Sequence, residues 1–557
     1  MTPFWKRGPR TPLDAARAGY RLAREYRNTG WVSAADAWCA EAVRAGDVAQ
    51  AADAYWERVI VAPVESARQV PLARRLVPLS TGQDVVAEAG YRQLLAGHVE
   101  RAVRVLEHGR GVLLRRAVGA ITPAQRSALL SRGRRDLLDE YLRAVDEVAG
   151  LLRDQHARRT AVIPALSVGG TPYALRGLDP MVAAQERVEA REAEIARVLG
   201  AGQGPPAYAD IRAVAVDGPL VYVAAATEGY ALVVRPGAAP EPISLPALTA
   251  GRATGLVADL RDPAAVGEVP QRAVRSAVDW LAAVLGGLRS ALRDEPAVTL
   301  VPVGVLGLLP LHAVFAQGVR YAPSARALPP HADPVRPGAT VLTVSAEDPW
   351  TPDGRQPPPA MRLAAAQTAR LTRLYGHRLR RLEQARADQV VGGLGTADVC
   401  HFICHGEADQ HHGLDNRLLL ADRHLTLAEI LAREPLRQRL VVLGACESGV
   451  PDPRLPDETV SFSGALMQAG VEAVVAALWR VDEVAAALVL QRFHEGVAAG
   501  WLPVQAMAEA QRWLRSATRG EIKARYPDLY RNRFASDPTV IPYAEPVHWA
   551  AFTYYGA

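Results

Sequence analysis

Two short segments of this chain end in side chains that could carry out covalent chemistry. The segment 399–406 is an apolar run of strand type that stops at His405, and the segment 440–449 is a second such run that stops at Cys446, 41 positions later (446 − 405). If the two runs form neighbouring parallel strands, both side chains lie at the carboxyl ends of those strands, where open α/β sheets build their sites. A thiol beside an imidazole is the minimum equipment for acyl transfer through a cysteine nucleophile.

The residues around Cys446 and His405 leave more than one interpretation open. Cys446 precedes the turn-forming residues 447–449, which favours a sharp turn that exposes the sulfur and directs backbone N–H groups toward it. Such groups would lower the thiol pKa from about 8.5 and could bind the oxyanion of a tetrahedral intermediate. Cys446 could instead be a buried structural thiol, and His405 could be a strand-end histidine that is capped by a backbone carbonyl.

A metal site is a weaker interpretation of the same region. A zinc site would have to use Cys400, Cys404, His401 and His411, whose spacing is poor for zinc because structural sites usually show two close pairs of ligands far apart in sequence. Cys400 and Cys404 should share one face of the strand and serve packing, whereas adjacent residues such as Cys404 and His405 point to opposite faces. We therefore predict neither a metal nor a cofactor.

Composition limits the classes of protein that this chain could belong to. Its 557 residues, 49% hydrophobic and 22% charged, fit a globular protein of two to four domains. The net charge is only +5 and the arginines are dispersed, which argues against a nucleic-acid surface. Four scattered cysteines indicate a reducing cytoplasm. The most apolar segment, 297–319, is broken by Pro302 and Pro310 and predicts buried strand and turn, not a membrane span. The first ten residues precede no apolar stretch, which argues against a signal peptide.

The pattern of apolar residues divides the chain into regions. Residues 1–200 are predicted to be helical, and the similar segments 45–51 and 96–102 indicate either a degenerate tetratricopeptide-like (TPR-like) domain or a plain helical bundle. After a glycine- and proline-rich linker at 200–206, strands are expected at 212–216 and 220–225, joined by an Asp217-Gly218 turn. Strands and helices then alternate, which predicts domains over 207–330 and 338–557 that share a mostly parallel sheet with helices on both faces.

Six ordered motifs together carry a resemblance to a known family. The segments that end at His405 and Cys446, read as 401–406 and 442–449, resemble the His-Gly and Ala-Cys-Glu motifs of the CHAT domain, a caspase-like cysteine peptidase module of the clan of caspases and separase. Four further segments resemble other parts of the same domain and occur in family order: 301–313, 321–325, 469–482 and 548–556.

This resemblance implies a fold and an activity. The fold would be a caspase-like α/β sheet domain with helices on both faces, in which 207–330 is the partner half of the catalytic half 338–557, preceded by TPR-like helices. The activity would be peptide-bond cleavage, with Cys446 as nucleophile, His405 as acid and base, and backbone N–H groups of Gly406 and Cys446 holding the oxyanion. The predicted substrate-binding residues are Trp479, Asp482 and Glu483. Asp482 and Glu483 are the candidates for binding a basic substrate side chain, although an aspartate at a helix start more often caps that helix.

The resemblance also implies partners and leaves rival functions open. The expected substrate is a protein, and the expected regulator is a protein partner that engages the helical domain of a latent cytoplasmic enzyme in bacterial defence, such as antiviral defence, or in cell death. Membrane and direct nucleic-acid partners are not expected. The rival interpretations are a catalytically inert CHAT-like scaffold, a nucleic-acid-binding protein, and a cysteine-dependent transpeptidase or ligase.

Overall fold

The computed structural model describes most, but not all, of the chain. The described residues are 11–25, 30–68, 85–111, 121, 123–160, 180–200, 205–261, 269–328, 335–336, 338–352, 356–407, 416–431, 436, 438–444, 457, 461–530 and 537–556. Cys446, as nucleophile and as backbone oxyanion donor, lies outside the described residues, and so does the zinc candidate His411.

The N-terminal region is helical, as the sequence predicts. Its helices are α1 (Pro12–Glu25), α2 (Trp31–Arg44), α3 (Val48–Arg68), α4 (Val85–Leu95), α5 (Val99–His108), α6 (Pro123–Ser131), α7 (Arg135–Thr160) and α8 (Pro180–Leu199). Helices α1 to α3 share one apolar core, whereas α4 and α5 contribute Ala87, Val103 and Leu106 to the large core that also contains the sheet described below. Helices α4 and α5 are therefore packed against the sheet.

The two similar segments of the helical region form the same kind of junction. Gly46 ends α2 and Gly97 ends α4, with φ of 67° and 77°, values that glycine adopts without steric cost. In each junction the N–H after the glycine bonds to a carbonyl five residues back, which satisfies a free carbonyl of the helix end: Asp47 to Ala42 at 3.1 Å, and His98 to Gln93 at 2.8 Å. The sequence similarity thus marks two matching helix–turn–helix units, while a TPR-type repeat over 1–200 stays a prediction.

One predicted strand is wrong. Residues 212–216 were expected to pair with 220–225 across Asp217-Gly218, but the chain forms a short helix, α9 (Tyr208–Arg212), followed by turns. Tyr208 and Ile211 are both buried, and their three-residue spacing is the helical signal that outweighs the alternation after Arg212. The hairpin instead joins β1 (Leu220–Ala224) to β2 (Gly229–Val234), which pair antiparallel.

Strands from residue 220 onward form one large mixed sheet and one small sheet. The remaining strands are β3 (Glu241–Leu245), β4 (Ala297–Pro302), β5 (Gly318–Tyr321), β6 (Val341–Ser345), β7 (Leu379–Leu382), β8 (Val399–Ile403), β9 (His405–Glu407), β10 (Arg417–Leu419), β11 (His424–Thr426), β12 (Leu440–Leu443), β13 (Ala473–Ala477) and β14 (Phe552–Gly556). The described strands of the large sheet run in the order β3-β2-β1-β4-β5-β14-β13-β12-β8-β6-β7, and β9, β10 and β11 form the small sheet.

The last strand joins the two parts of the large sheet. β14 pairs antiparallel with β13 and parallel with β5, where Tyr555 lies opposite Tyr321. Every residue of β4, β6, β8, β12 and β13 is buried. Because successive side chains of a strand point to opposite faces, this part of the sheet is covered on both faces. The predicted fold class, an α/β sheet domain preceded by helices, is confirmed, and the boundaries at 207–330 and 338–557 stay predictions.

Helices connect and cover the strands. They are α10 (Ala250–Leu260), α11 (Gln271–Val284), α12 (Gly286–Ala291), α13 (Ala364–Tyr375), α14 (Ala387–Gly393), α15 (Leu427–Leu431), α16 (Phe462–Gln468), α17 (Glu483–Ala498), α18 (Pro503–Ser516), α19 (Arg519–Arg525) and α20 (Pro546–Trp549). Of these, α13 and α17 pack against each other, and α17 also packs against α18. Helices α13 and α17 matter most for the site because both begin next to it.

Candidate active site

The strands that precede His405 and Cys446 in the sequence are neighbours. β8 and β12 pair in parallel, with Phe402 opposite Leu443. His405 lies three residues past Phe402 (405 − 402), and Cys446 lies three residues past Leu443 (446 − 443). The register therefore gives both residues the same offset from the same end of adjacent strands, which is the arrangement that the sequence predicts for the strands.

Gly444 brings the ends of β8 and β12 close together. Its N–H donates to the carbonyl oxygen of Phe402 at 2.8 Å. A Cβ added at Gly444 would lie 2.7 Å from that oxygen, a distance that real Cβ atoms do not adopt. A side chain at this position would push the two strands apart, so the glycine is required where the strands approach the site.

A backbone carbonyl orients the His405 ring. Its Nε2 lies 2.7 Å from the carbonyl oxygen of Pro359. A carbonyl can only accept a hydrogen bond, so Nε2 carries the proton, and in the neutral ring Nδ1 keeps the lone pair. The carbonyl cap considered from the sequence is thus observed, and it is compatible with catalysis because a base whose ring is fixed by a third group is the arrangement that activates a nucleophile.

The loop that supplies Pro359 is itself fixed from α17. The Glu483 carboxylate accepts a hydrogen bond from the N–H of Leu363, directly before α13, at 2.7 Å. Two residues earlier, the N–H of Met361 donates to the carbonyl of Glu347 at 3.3 Å. These two contacts hold the residues that follow Pro359, whose carbonyl contacts the His405 ring.

The small sheet extends from His405. In β9, His405 lies opposite Leu419 and Gly406 opposite Leu418 of β10. Glu407 forms an ion pair with Arg417, at 2.6 Å, across the same two strands. The half-exposed His405 side chain therefore stands at the junction where the large sheet ends and the small sheet begins.

A buried chain of polar side chains lies beneath the strand ends. His401 of β8 stacks on His494 of α17, with ring centroids 4.8 Å apart and 2.9 Å between His401 Nδ1 and His494 Nε2. Tyr375 of α13 continues the chain, with its hydroxyl 2.9 Å from His494 Nδ1. Burial lowers the pKa of His494 to about 3 and that of His401 well below its usual range, so both rings are neutral at ordinary pH.

The His401 ring of this pair lies next to Gly444. A Cβ at that glycine would lie 3.4 Å from Nε2 of His401, and this ring nitrogen has no hydrogen-bond partner among the described residues. The ends of β8 and β12 thus rest on two buried histidines, His401 and His494, that are uncharged at ordinary pH.

The candidate substrate-binding residues have defined contacts. Asp482 caps α17 by accepting from the N–H of Ala485 at 2.9 Å, as expected for an aspartate at a helix start. Trp479 is buried and donates from Nε1 to the carbonyl of Val547 at 2.9 Å. Glu483 makes the contact to Leu363 described above. Substrate binding by these three residues stays a prediction.

The described cysteines are buried thiols. Cys39, Cys400 and Cys404 all lie in the protein interior, and burial raises the pKa of Cys39 and of Cys400 to about 12. Thiols with such pKa values are poor nucleophiles at neutral pH. Within the described ranges, no group of three or more His, Cys, Asp or Glu side chains could hold a metal ion.

None of the helices in the described part of the chain is long and apolar enough to cross a membrane.

Sequence reasoning missed two parts of this site. The role of Pro359 comes from its backbone carbonyl, which every residue type carries, so no side-chain signal could have identified it. The pair of His401 and His494 left a weak signal, a single histidine within the apolar pattern of α17, but only the fold shows that it meets β8.

Three solved structures are similar to this chain at low sequence identity. Separase in the Saccharomyces cerevisiae separase–securin complex is 9% identical, with a TM-score of 0.41 over 98% of this chain and 47% of separase. This chain thus spans about half the length of that protein. The Arg-specific cysteine proteinase gingipain R is 11% identical, with a TM-score of 0.27 over 55% of this chain and 74% of its own. The Porphyromonas gingivalis complex of gingipain pro- and mature domains is 12% identical, with the same TM-score, over 55% of this chain and 75% of that chain.

The family itself is identified from the sequence. A search of curated proteins found no match. The family model described as the CHAT domain matches residues 271–557, which is 287 of the 557 residues (557 − 271 + 1). The match covers more than half of the chain and includes β8, β9 and β12, and it confirms the resemblance that the six motifs carry. The chain belongs to the CHAT domain family.

Proposed function

We propose that this chain is a cysteine endopeptidase that cleaves a protein partner through Cys446 and His405. The observation that carries the proposal is the hydrogen bond between His405 Nε2 and the Pro359 carbonyl, at 2.7 Å. It leaves Nδ1 as the basic atom of an oriented ring, at the end of a strand whose neighbour continues to Cys446. Membership of the CHAT domain family supports the same chemistry.

Acylation would proceed in two bond changes. The Cys446 thiol gives its proton to Nδ1 of His405, and the thiolate attacks the scissile carbonyl, forming a C–S bond and an oxyanion. Backbone N–H groups of Gly406 and Cys446 would hold this oxyanion; loss of one such donor typically costs about 2.7–4 kcal/mol of barrier. When the oxyanion collapses, the C–N bond breaks and the leaving amine takes the proton from His405.

Deacylation would repeat the sequence with water. His405 removes a proton from a water molecule that attacks the thioester, the second tetrahedral intermediate collapses, and the C–S bond breaks. The carboxylic acid product departs, and His405 returns its proton to the Cys446 thiolate, which restores the thiol for the next cycle. Throughout, the Pro359 carbonyl stabilises the imidazolium, because its oxygen accepts a hydrogen bond from Nε2–H in both protonation states of the ring.

Substrate selection would involve the start of α17. Asp482 is exposed and Glu483 half-buried, and both lie just past Trp479. We propose that their charge favours a basic side chain next to the cleaved bond. Asp482 keeps a second carboxylate oxygen beyond the one that caps α17.

A wider role is part of the same proposal. We propose a latent enzyme in the bacterial cytoplasm that a protein partner activates through the helical region, in a defence or cell-death system. Helices α4 and α5 share the apolar core of the sheet, which supports the idea that a partner bound to helices can alter the catalytic half.

The direct test is the cleavage of a peptide library by the purified chain at high enzyme concentration. We expect slow cleavage that Cys446→Ala and His405→Ala abolish without lowering the melting temperature. His377→Ala is the matched control, since His377 is exposed and precedes β7 at the opposite edge of the parallel strands. Cleavage that persists in Cys446→Ala would contradict the peptidase assignment, and full activity of the resting chain would contradict latency.

A further inference from the structure

Arg110, two residues past the end of α5, is buried against residues from both predicted halves of the sheet region. It is 1% exposed, and its Nε donates to the carbonyl of Pro323 at 2.9 Å. Its Nη1 donates to Oδ1 of Asp457 at 3.0 Å, forming an ion pair. An arginine this deeply buried is tolerated only when it is paired and hydrogen-bonded, so the pair specifies how α5 sits on the rest of the chain.

Asp457 is the other half of this contact, and it is 9% exposed. Its Oδ1 also accepts from the N–H of Gly304 at 2.8 Å. Its backbone carbonyl accepts from the N–H of Gly111 at 2.7 Å. Asp457 follows Cys446 by 11 positions (457 − 446) and precedes Ser461, the N-cap of α16, by four (461 − 457). A point in the chain between the candidate nucleophile and α16 is therefore tied to the helical region by two hydrogen bonds.

A second buried charge fixes the same end of α5. The Glu107 carboxylate is fully buried and accepts from the Tyr222 hydroxyl at 2.7 Å. It also accepts from the N–H groups of Ala325 and Arg326, at 2.9 and 3.0 Å. The last turn of α5 is thus locked to β1 and to the residues after β5, so it cannot shift without breaking charge-assisted hydrogen bonds.

We propose that the Arg110–Asp457 pair is the latch that keeps the peptidase latent, and that an activating partner works by moving the end of α5 and separating the two residues. The proposal rests on the function proposed above and assigns the regulation of that site. Arg110 is a positioning residue, because its proposed effect on Cys446 passes through Asp457.

The energetics of buried ion pairs fit a latch. Such a pair contributes little net stability compared with apolar side chains, but it resists the removal of either partner, which would leave a buried charge unpaired. A two-state contact of this kind stays closed until a ligand binds the open state more tightly than the closed state. The partner must therefore bind the open state more tightly than the closed state by at least the free energy that favours the closed state.

The test is the rate of Cys446 alkylation by iodoacetamide in the full chain, followed by mass spectrometry of the peptide that contains it. In Arg110→Met the apolar stem is kept and the charge is lost, and we expect the rate to rise about tenfold, within the range of allosteric coupling. Asp457→Asn should also raise the alkylation rate of Cys446, because the ion pair is lost while the amide oxygen still accepts from the N–H of Gly304. If Arg110→Met does not fold, the rate in Asp457→Asn tests the proposal in its place.

Arg58→Met is the matched control. Arg58 is another buried arginine of the helical region, 3% exposed at its side chain, and it pairs with Asp36 inside that region at 2.6 Å. Its loss should destabilise the helices comparably and leave the Cys446 rate unchanged. A merely structural role for Arg110 would give the same result as this control.

The outcomes separate the latch from the peptidase. A rise in Arg110→Met that His405→Ala abolishes supports both. A rate that depends on His405 but is unchanged or lowered in Arg110→Met and Asp457→Asn overturns the latch alone. A Cys446 rate that is independent of His405 in every background overturns the proposed function on which the latch rests.

Discussion

The close contact between α4 and β2 decides whether an alanine at Gly90 stabilises or destabilises the fold. Gly90 of α4 faces the Tyr230 ring of β2, whose hydroxyl donates to the carbonyl of Ala87 at 2.8 Å. A Cβ at Gly90 would lie 2.1 Å from the Tyr230 oxygen and 2.9 Å from a methyl carbon of Leu106. Gly90→Ala must therefore push α4 away from the sheet or displace the tyrosine.

The magnitude follows from two opposing effects. Replacing glycine by alanine inside a helix stabilises a protein by about 0.4–1 kcal/mol when there is space, because the unfolded chain loses freedom. Overpacking a close contact costs about 1–3 kcal/mol. Gly255→Ala, in the exposed face of α10 with nothing within 4 Å of the added Cβ, should show only the first effect. The two substitutions are chemically identical, and we expect opposite signs.

A double-mutant cycle tests the cause. Tyr230→Phe removes the oxygen that an alanine at position 90 would meet, at the cost of one hydrogen bond, about 1 kcal/mol. In the Tyr230→Phe background Gly90→Ala should cost about 1–2 kcal/mol less than in the wild type, a coupling typical of residues in contact.

The assay is urea unfolding followed by circular dichroism, with the free energy of unfolding compared across the variants. If Gly90→Ala stabilises the chain as Gly255→Ala does, or if Tyr230→Phe leaves its cost unchanged, the packing of the helical region on β2 is refuted.

Three further predictions concern the site. Gly444→Ala should abolish peptide cleavage and destabilise the fold by about 1–3 kcal/mol, because its Cβ would lie 2.7 Å from the Phe402 carbonyl oxygen. The control Gly392→Ala, where the added Cβ meets nothing within 4 Å, should do neither. Equal activity of the two variants would contradict the close approach of β8 and β12. Glu483→Gln keeps an acceptor for the Leu363 N–H and should preserve kcat while reducing the preference for basic peptides, whereas Glu483→Ala should lower kcat; an unchanged preference in the glutamine variant would exclude charge recognition by Glu483. The pKa of His494 is about 3 in the folded chain and about 6.5 when unfolded. Its contribution to the free energy of unfolding is therefore constant above pH 6.5 and falls as the pH drops toward 3. At pH 5 the loss of stability amounts to about 2 kcal/mol. His494→Gln should flatten this part of the stability–pH curve, and a curve of unchanged slope would contradict the neutral buried histidine.

The strands of the site could be predicted from the sequence because their signals are local. The runs that end near His405 and Cys446 are apolar and stop at turn residues, and β8 and β12 are parallel neighbours as expected. The prediction for 212–216 failed because five alternating residues are too short to outweigh the helical spacing of Tyr208 and Ile211.

The contacts that orient the site are not local and leave no sequence signal. Pro359 and His405 are separated by 46 residues, and Arg110 and Asp457 by 347. An arginine and an aspartate so far apart are, from the sequence, two surface charges among many. Only the folded chain brings Arg110 and Asp457 together as a buried pair.

The claim on which the account depends is that the Cys446 sulfur and the His405 ring meet in one cleft. The direct measurement is cross-linking of the native chain with 1,3-dibromoacetone, a three-carbon reagent that bridges a thiol and an imidazole within its reach, followed by peptide mass spectrometry. We expect a bridge between the peptides of Cys446 and His405 in the native chain, none in the urea-unfolded chain, and no labelling of the buried Cys39 and Cys400. Native chain that is alkylated at Cys446 without a bridge to His405, or that is bridged to another histidine, would contradict it.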